Sequence, residues 1–109
     1  MFLHVTNAKH IGKYKVQVSF NDGRNGVVDL GDALHGKVFE PLRDVALFAQ
    51  LKIDEELETI VWPNGADLAP EFIYFQAFKN VPELQAQFEK WGYIAEQGAP
   101  TDPKSARKF

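Results

Sequence analysis

The sequence predicts a two-layer α+β fold, with helices packed on a mainly antiparallel sheet of about five strands. Residues 14–20 alternate strictly between apolar and polar side chains, which is typical of a half-buried strand. Leu84, Phe88 and Trp91 recur at the i, i+4, i+7 spacing of a single helix face. The predicted order is three strands, a helix, two strands and a helix, followed by an additional C-terminal helix.

The first predicted strand covers Phe2 to Ile11, with an irregularity near Asn7 and Ala8. The second begins at Tyr14 and is joined to the third by Asn21-Asp22-Gly23. A three-residue loop with a left-handed Gly23 sets Val16 opposite Val28, whereas a two-residue loop sets a carboxylate on the apolar face. The longer loop is therefore predicted, and it also places Lys15 opposite Asp29 as its expected charge partner.

Later elements follow from capping and turn signals. Asp44 is predicted to cap a short helix over residues 45–50, and residues 51–54 and 59–62 to form a second hairpin. Pro70 is suited to the first turn of a helix whose apolar face carries Phe72, Ile73, Phe75, Ala77 and Phe78. Asn80 and Glu83 resemble a capping box ahead of the final helix, which is expected to end near Gly92.

Length and composition indicate one ordinary globular domain. The chain has 109 residues, of which 45% are hydrophobic, and a net charge of −3. We predict a single α+β domain over residues 1–80. Residues 81–97 are expected to form a C-terminal helix that packs on this domain or on a second chain, and 98–109 a disordered tail.

Several classes of protein are disfavoured. The absence of cysteine excludes disulfides, thiol nucleophiles and cysteine-ligated metals, and it fits a cytoplasmic location. No apolar run approaches the roughly 20 residues that span a bilayer. Between Glu40 and Glu71 the chain carries eight acidic and two basic side chains, so direct nucleic-acid binding is not expected.

The densest candidate motif is Trp62-Pro63-Asn64-Gly65-Ala66-Asp67, between a predicted strand and a predicted helix. Turn chemistry explains most of it, because Asn-Gly adopts positive φ readily and Asp67 has an oxygen that can bond backbone amides near the helix. The alternative is a binding loop formed by Trp62, Asn64, Gly65 and Asp67. A second candidate is the acidic cluster Glu55, Glu56 and Glu58, which is either a solvated turn or a contact for a basic partner.

Catalytic and metal chemistry find little support. His4, His10 and His35 lack the spacing of a metal site, and nothing brings Asp29 and Asp67 together as paired carboxylates. We therefore predict no enzyme activity, no metal and no cofactor. A small enzyme using acidic residues such as Asp29, Asp67 or Glu71 remains the least favoured hypothesis.

Three segments resemble the bacterial domain of unknown function 2442 family: Val18 to Gly23, Val28 to Leu30, and above all Trp62 to Glu71, together with Phe39 and Pro41-Leu42. The resemblance covers about Phe2 to Phe78. It implies a small α+β fold of a bacterial cytoplasmic protein with no established activity. Some members are joined to a helix-turn-helix domain, for which the residues after this match leave no room, and many are encoded beside another small protein in a toxin–antitoxin-like arrangement. Leu57 stands where many relatives have a turn glycine.

Two functional hypotheses follow. In the first, the chain is a protein-interaction or regulatory module, such as an antitoxin-like partner of another small bacterial protein. In the second, it is a ligand-sensing or dimerising domain of a transcription-regulatory system. Both hypotheses allow a homodimer. If the helix face formed by Leu84, Phe88 and Trp91 is exposed, it would pair two copies of the chain, whereas if it is buried within one copy, the chain would be a monomer.

Overall fold

A computed structural model describes residues 2–94, and the chain divides after Ala77 into two compact units. The first unit begins with strands β1 (Val5–Gly12), β2 (Lys15–Phe20) and β3 (Asn25–Asp29). It continues with helix α1 (Val45–Phe48), strands β4 (Lys52–Asp54) and β5 (Thr59–Val61), and helix α2 (Pro70–Phe78), which ends at the division. Short 3-10 turns occupy Gly31–Ala33 and Glu40–Arg43.

The predicted α+β class is confirmed, and the strands are distributed between two antiparallel sheets. Within residues 2–94, β1-β2-β3 form a three-stranded sheet and β4-β5 a two-stranded one. The sheets are linked by a backbone hydrogen bond of 3.0 Å from the Val5 amide to the Glu58 carbonyl. No helix in this part of the chain is long and apolar enough to cross a membrane.

The β2–β3 hairpin has the predicted register. Val16 lies opposite Val28 and Lys15 opposite Asp29, and the loop is closed by the Phe20 amide on the Arg24 carbonyl at 2.9 Å. Gly23 adopts a φ of +90°, as the three-residue loop requires. The expected ion pair between Lys15 and Asp29 is not formed, and Asp29 Oδ1 accepts from the Gly31 amide at 2.9 Å.

Strand β1 is shorter than predicted, since it begins at Val5 rather than Phe2. Asn21 holds the preceding segment in place of a strand partner: its side chain donates to the Phe2 carbonyl at 2.7 Å and accepts from the His4 amide at 2.9 Å. The predicted irregularity is present as a register shift between Val5 and Asn7. A second shift lies between His10 and Gly12.

Helix α1 and the second hairpin also form where the sequence places them. Asp44 caps α1 by accepting from the Ala46 amide at 3.0 Å. Strands β4 and β5 are only three residues each, and all three residues of β5 are buried.

The core of the first unit joins one face of the three-stranded sheet to α1, β5 and α2. Phe48 packs on Trp62 at 5.6 Å between ring centroids, and Phe20 meets Tyr74 edge to face at 5.0 Å. The buried apolar side chains include Val16, Val18, Phe20, Val28, Leu30, Leu42, Phe48, Ile60, Trp62 and Ile73.

The second unit contains a 3-10 turn (Pro82–Leu84) and helix α3 (Gln85–Trp91), which ends at Gly92 as predicted. Phe88 is fully buried, and the Trp91 ring lies 6.0 Å from Phe88 in a tilted arrangement and 6.3 Å from Tyr93 edge to face. The predicted capping box is wrong: Val81 precedes the 3-10 turn without a side-chain cap. Pro82 explains this, because a residue before proline favours extended backbone and Val81 has ψ of 117°. Residues 95–97 of the predicted helix segment and the predicted tail, 98–109, lie outside the described residues.

Candidate functional site

Trp62, the largest residue of the candidate binding loop, is part of the core. Its side chain is 3% exposed, and its indole N–H donates to the Phe48 carbonyl at 2.9 Å. The size of this residue is therefore explained by packing and by a satisfied buried polar group.

The rest of the Trp62–Asp67 loop is a tight turn. The Gly65 amide donates to the Trp62 carbonyl at 3.0 Å, and Gly65 has a φ of +91°. Asn64 Oδ1 accepts from the Ala66 amide at 3.1 Å, while Asn64 Nδ2 donates to the Val38 carbonyl at 2.9 Å. Both ends of the Asn64 amide thus bind backbone, so its polar groups are engaged in holding the loop.

Asp67 does not make the predicted bond to amides near α2. It pairs with Val61 in an isolated antiparallel bridge, and the next amide, Leu68, donates to the Ile60 carbonyl at 3.3 Å. This extended geometry leaves the Asp67 carboxylate in solvent, without a hydrogen bond among residues 2–94. Asp67 is therefore the accessible charge of the Trp62–Asp67 loop.

The second candidate is the acidic loop, which we define as Glu55 to Glu58. Asp54 Oδ1 accepts from the amides of both Glu56 and Leu57 at 2.8 Å, and the Asp54 carbonyl accepts from the Glu58 amide at 2.7 Å. These bonds fix the backbone of the loop from one residue. Leu57 is held at its tip with 53% of its surface exposed.

Glu58 is the left-handed residue of this loop, with a φ of 58°. The family turn glycine was expected at Leu57, so the strained position lies one residue further on. Glu58 is tied to the first strand by its carbonyl, which accepts from Val5, and by its carboxylate, 3.5 Å from His4 Nε2. The three glutamates of the loop are exposed and give it a strongly negative surface.

One polar contact joins α2 to the tip of the β2–β3 hairpin. The Tyr74 hydroxyl of α2 donates to Asp22 Oδ2 at 2.7 Å, and Arg24 Nε lies 4.0 Å from the same carboxylate oxygen. Burial and the hydrogen bond to Asp22 raise the pKa of Tyr74 to about 12. No signal in the sequence connects two residues so far apart, although the tyrosine within an apolar helix face was a sign that a polar partner is needed.

The remaining surface features give less support for a binding site. An open depression of about 410 Å³ is lined by Lys37, Glu40 and Pro41, two opposite charges and an apolar ring. Within the described residues no three metal-ligating side chains converge. His10 is engaged with the Lys13 carbonyl at 2.8 Å.

Residues 2–94 form a small α+β protein whose candidate binding groups lie on two exposed loops. Residues 5–79 match the family model described as "Protein of unknown function (DUF2442)", so the chain belongs to the DUF2442 family. A comparison with curated proteins gave no match.

A solved structure shares the fold. It is the crystal structure of "Putative DNA Binding Protein NE0471" from Nitrosomonas europaea ATCC 19718, with a TM-score of 0.66 and 19% sequence identity. The match covers 86% of this chain and 63% of the other, so the chain spans less than two thirds of that protein.

Proposed function

We propose that this protein is a non-catalytic protein-interaction module of the cytoplasm, and that the acidic loop is its contact surface for a basic partner. The observation that carries the proposal is Leu57, an apolar side chain held 53% exposed between glutamates. Covering an exposed apolar side chain with a partner removes its surface from water, which lowers the free energy of the complex.

Preorganisation favours binding at this loop. Asp54 bonds two loop amides, and the Glu58 carbonyl and carboxylate bind the chain around Val5 and His4. Because the loop is ordered before any partner arrives, little conformational entropy is lost on association.

The chemistry of the loop indicates the partner. Leu57 fits an apolar pocket, and Glu55 and Glu56 fit Lys or Arg side chains at its rim. The toxin–antitoxin-like gene arrangement implied by the family resemblance supports another small bacterial protein as that partner.

The test is capture of partners on the full chain from its native lysate, compared with three variants. Leu57→Ser removes the anchor, and Val38→Ser is a matched control because Val38 is 48% exposed elsewhere. Asp67→Ala tests the Trp62–Asp67 loop. We expect a partner retained by Val38→Ser and Asp67→Ala but lost by Leu57→Ser and released as salt is raised. A partner lost only with Asp67→Ala would move the contact to the other loop, and a partner kept by all variants would contradict the proposal.

The second candidate function is a ligand-sensing or dimerising domain of a transcription-regulatory system. It is favoured by the structural neighbour from Nitrosomonas europaea, which is named a putative DNA-binding protein and part of which lies outside the matched region. Here the chain acts through partners, because its central segment is acidic. A thermal-shift screen with metabolites tests the ligand-sensing form, since a ligand that binds the native state raises its Tm.

A further inference from the structure

We propose that the outer edge of β3 pairs antiparallel with β3 of a second copy of this chain, joining the two three-stranded sheets. This surface is separate from the acidic loop, and it gives the dimerising alternative a specific interface. The starting point is the hydrogen-bond direction along β3. The Phe20–Arg24 and Leu30–Tyr14 backbone bonds show that the even-numbered residues of β3 face β2.

The odd-numbered residues of β3 consequently point their backbone groups away from the sheet. Asn25, Val27 and Asp29 are exposed, Val27 by 53%. They lie opposite Ser19, Gln17 and Lys15 of β2 at the positions that exchange no backbone hydrogen bonds, and within residues 2–94 no strand lies on the other side of β3. Their amides and carbonyls therefore form an open edge that a further strand can extend.

The two edges of this sheet differ in how they are protected. The β1 edge is interrupted by two register shifts and is bonded to Glu58 through Val5. The β3 edge pairs with β2 in an uninterrupted register and contains no proline, lysine or bulge, which are common devices against strand addition; its one charged residue is Asp29. The unprotected edge is thus β3.

Self-complementarity selects a second copy as the occupant. A two-fold axis at Val27 is the register that overlaps all of β3 with its copy. It sets Val27 beside Val27 of the second copy and Asn25 opposite Asp29 of the second copy. The Asn25 amide can then donate to the Asp29 carboxylate, of which only Oδ1 is engaged, with the Gly31 amide. Moving the axis to Asp29 would set two carboxylates against each other.

The pairing adds backbone hydrogen bonds and an apolar Val27 contact over a short strand. A five-residue strand forms a small interface, so we expect a dimer that depends on concentration.

The experiment measures self-association of the full chain by sedimentation equilibrium. Asn25→Asp sets carboxylates opposite each other at both symmetric positions, and we expect the dimer to weaken about tenfold. The double variant Asn25→Asp with Asp29→Asn exchanges the two side chains and restores the complementary pair, so association should return. Circular dichroism confirms that each variant is folded.

A backbone variant tests the same edge independently. Val27→Pro removes an outward amide that β2 does not use, so the monomer fold is retained while the dimer is lost. Val27→Thr keeps this amide and a β-branched side chain, and should still associate. Leu57→Ser should dimerise like the wild type, so failure of the acidic-loop proposal is distinguishable from failure of this one. A wild type that stays monomeric at every concentration, or a dimer indifferent to Asn25→Asp and Val27→Pro, would overturn the proposal.

Discussion

The two hairpins of the first unit are stabilised in different ways. In β2–β3, the six-residue strand β2 alternates between polar and apolar residues, β3 has five residues, and the loop uses Gly23 in the left-handed region. In β4–β5, the strands have three residues each, β5 is buried throughout, and the left-handed position is held by Glu58. The first hairpin is specified by its own pattern, whereas the second depends on what covers β5.

The loops of the two hairpins also differ in the residue that adopts positive φ. The β2–β3 loop carries a glycine where positive φ is needed and so costs little. The β4–β5 loop keeps Glu58 at this position, which costs stability, and the exposed Leu57 beside it forgoes the stabilisation that burial would give.

The largest expected effect distinguishes the two strands of the second hairpin. Ile60 and Ile53 are cross-strand partners, but Ile60 is fully buried and Ile53 only half-buried. We expect Ile60→Ala to lower the free energy of unfolding by about 2–5 kcal/mol and Ile53→Ala by about 1 kcal/mol. In the first hairpin, we expect Val16→Ala and Val28→Ala to lower the free energy of unfolding by amounts similar to each other, because both residues are buried. Urea denaturation measures all four, and equal losses for the two isoleucines would contradict the dependence on β5 burial.

A second prediction concerns Tyr74, which ties the tip of the first hairpin to α2. Its pKa is about 12 when folded and about 10 when unfolded. Stability from this raised pKa is complete below pH 10 and is lost as the pH rises towards 12, a loss of about 2 kcal/mol. Tyr74→Phe should be less stable at neutral pH by about 1 kcal/mol and should lack this alkaline step.

Thermal unfolding of the wild type and Tyr74→Phe across the alkaline range provides the check. An identical decline in both proteins would show that other groups govern the alkaline transition.

A third prediction tests the single-residue support of the acidic loop. Asp54→Ala removes the acceptor for the Glu56 and Leu57 amides and should lower stability by about 1–2 kcal/mol. Asp54→Asn keeps an oxygen acceptor and should cost less than half as much. Hydrogen exchange of the Glu56 and Leu57 amides should accelerate in Asp54→Ala. Unchanged exchange would contradict the idea that the Asp54 side chain holds the loop backbone in place.

The smallest expected effects have opposite signs in the two loops. Gly23→Ala meets no steric contact but places a side chain at φ of +90°, so we expect a loss of about 1 kcal/mol. Glu58→Gly relieves the left-handed strain and should gain about 0.5 kcal/mol, reduced by the lost His4 contact. Chemical denaturation resolves the two signs, and a loss in both variants would show that the Glu58 contacts outweigh its strain.

Much of the fold was accessible from local patterns. Alternation and turn chemistry predicted the β2–β3 register to the residue, and Asp44 was correctly identified as a cap. The capping box at Asn80 failed because Pro82 imposes extended backbone on Val81, a local conflict that outweighs the favourable spacing.

The candidate sites were less accessible. Trp62 and Asp67 were grouped by their closeness in sequence, but one is buried in the core and the other faces solvent. Burial depends on what packs against a residue from distant parts of the chain, here Phe48 for Trp62. The acidic loop was found by composition alone, while its rigidity was not, since that depends on bonds from Asp54, Val5 and His4.

The sequence by itself determined the fold class, the order of the elements, the first hairpin and the absence of thiol chemistry, because each depends on neighbouring residues or on composition. The tertiary structure alone decided the division of the strands into two sheets, the Tyr74–Asp22 contact, the exposure of Leu57 and the open edge of β3. These features join residues distant in sequence or concern which surfaces are left uncovered. Such outcomes depend on the packing of the whole chain, which no local pattern encodes.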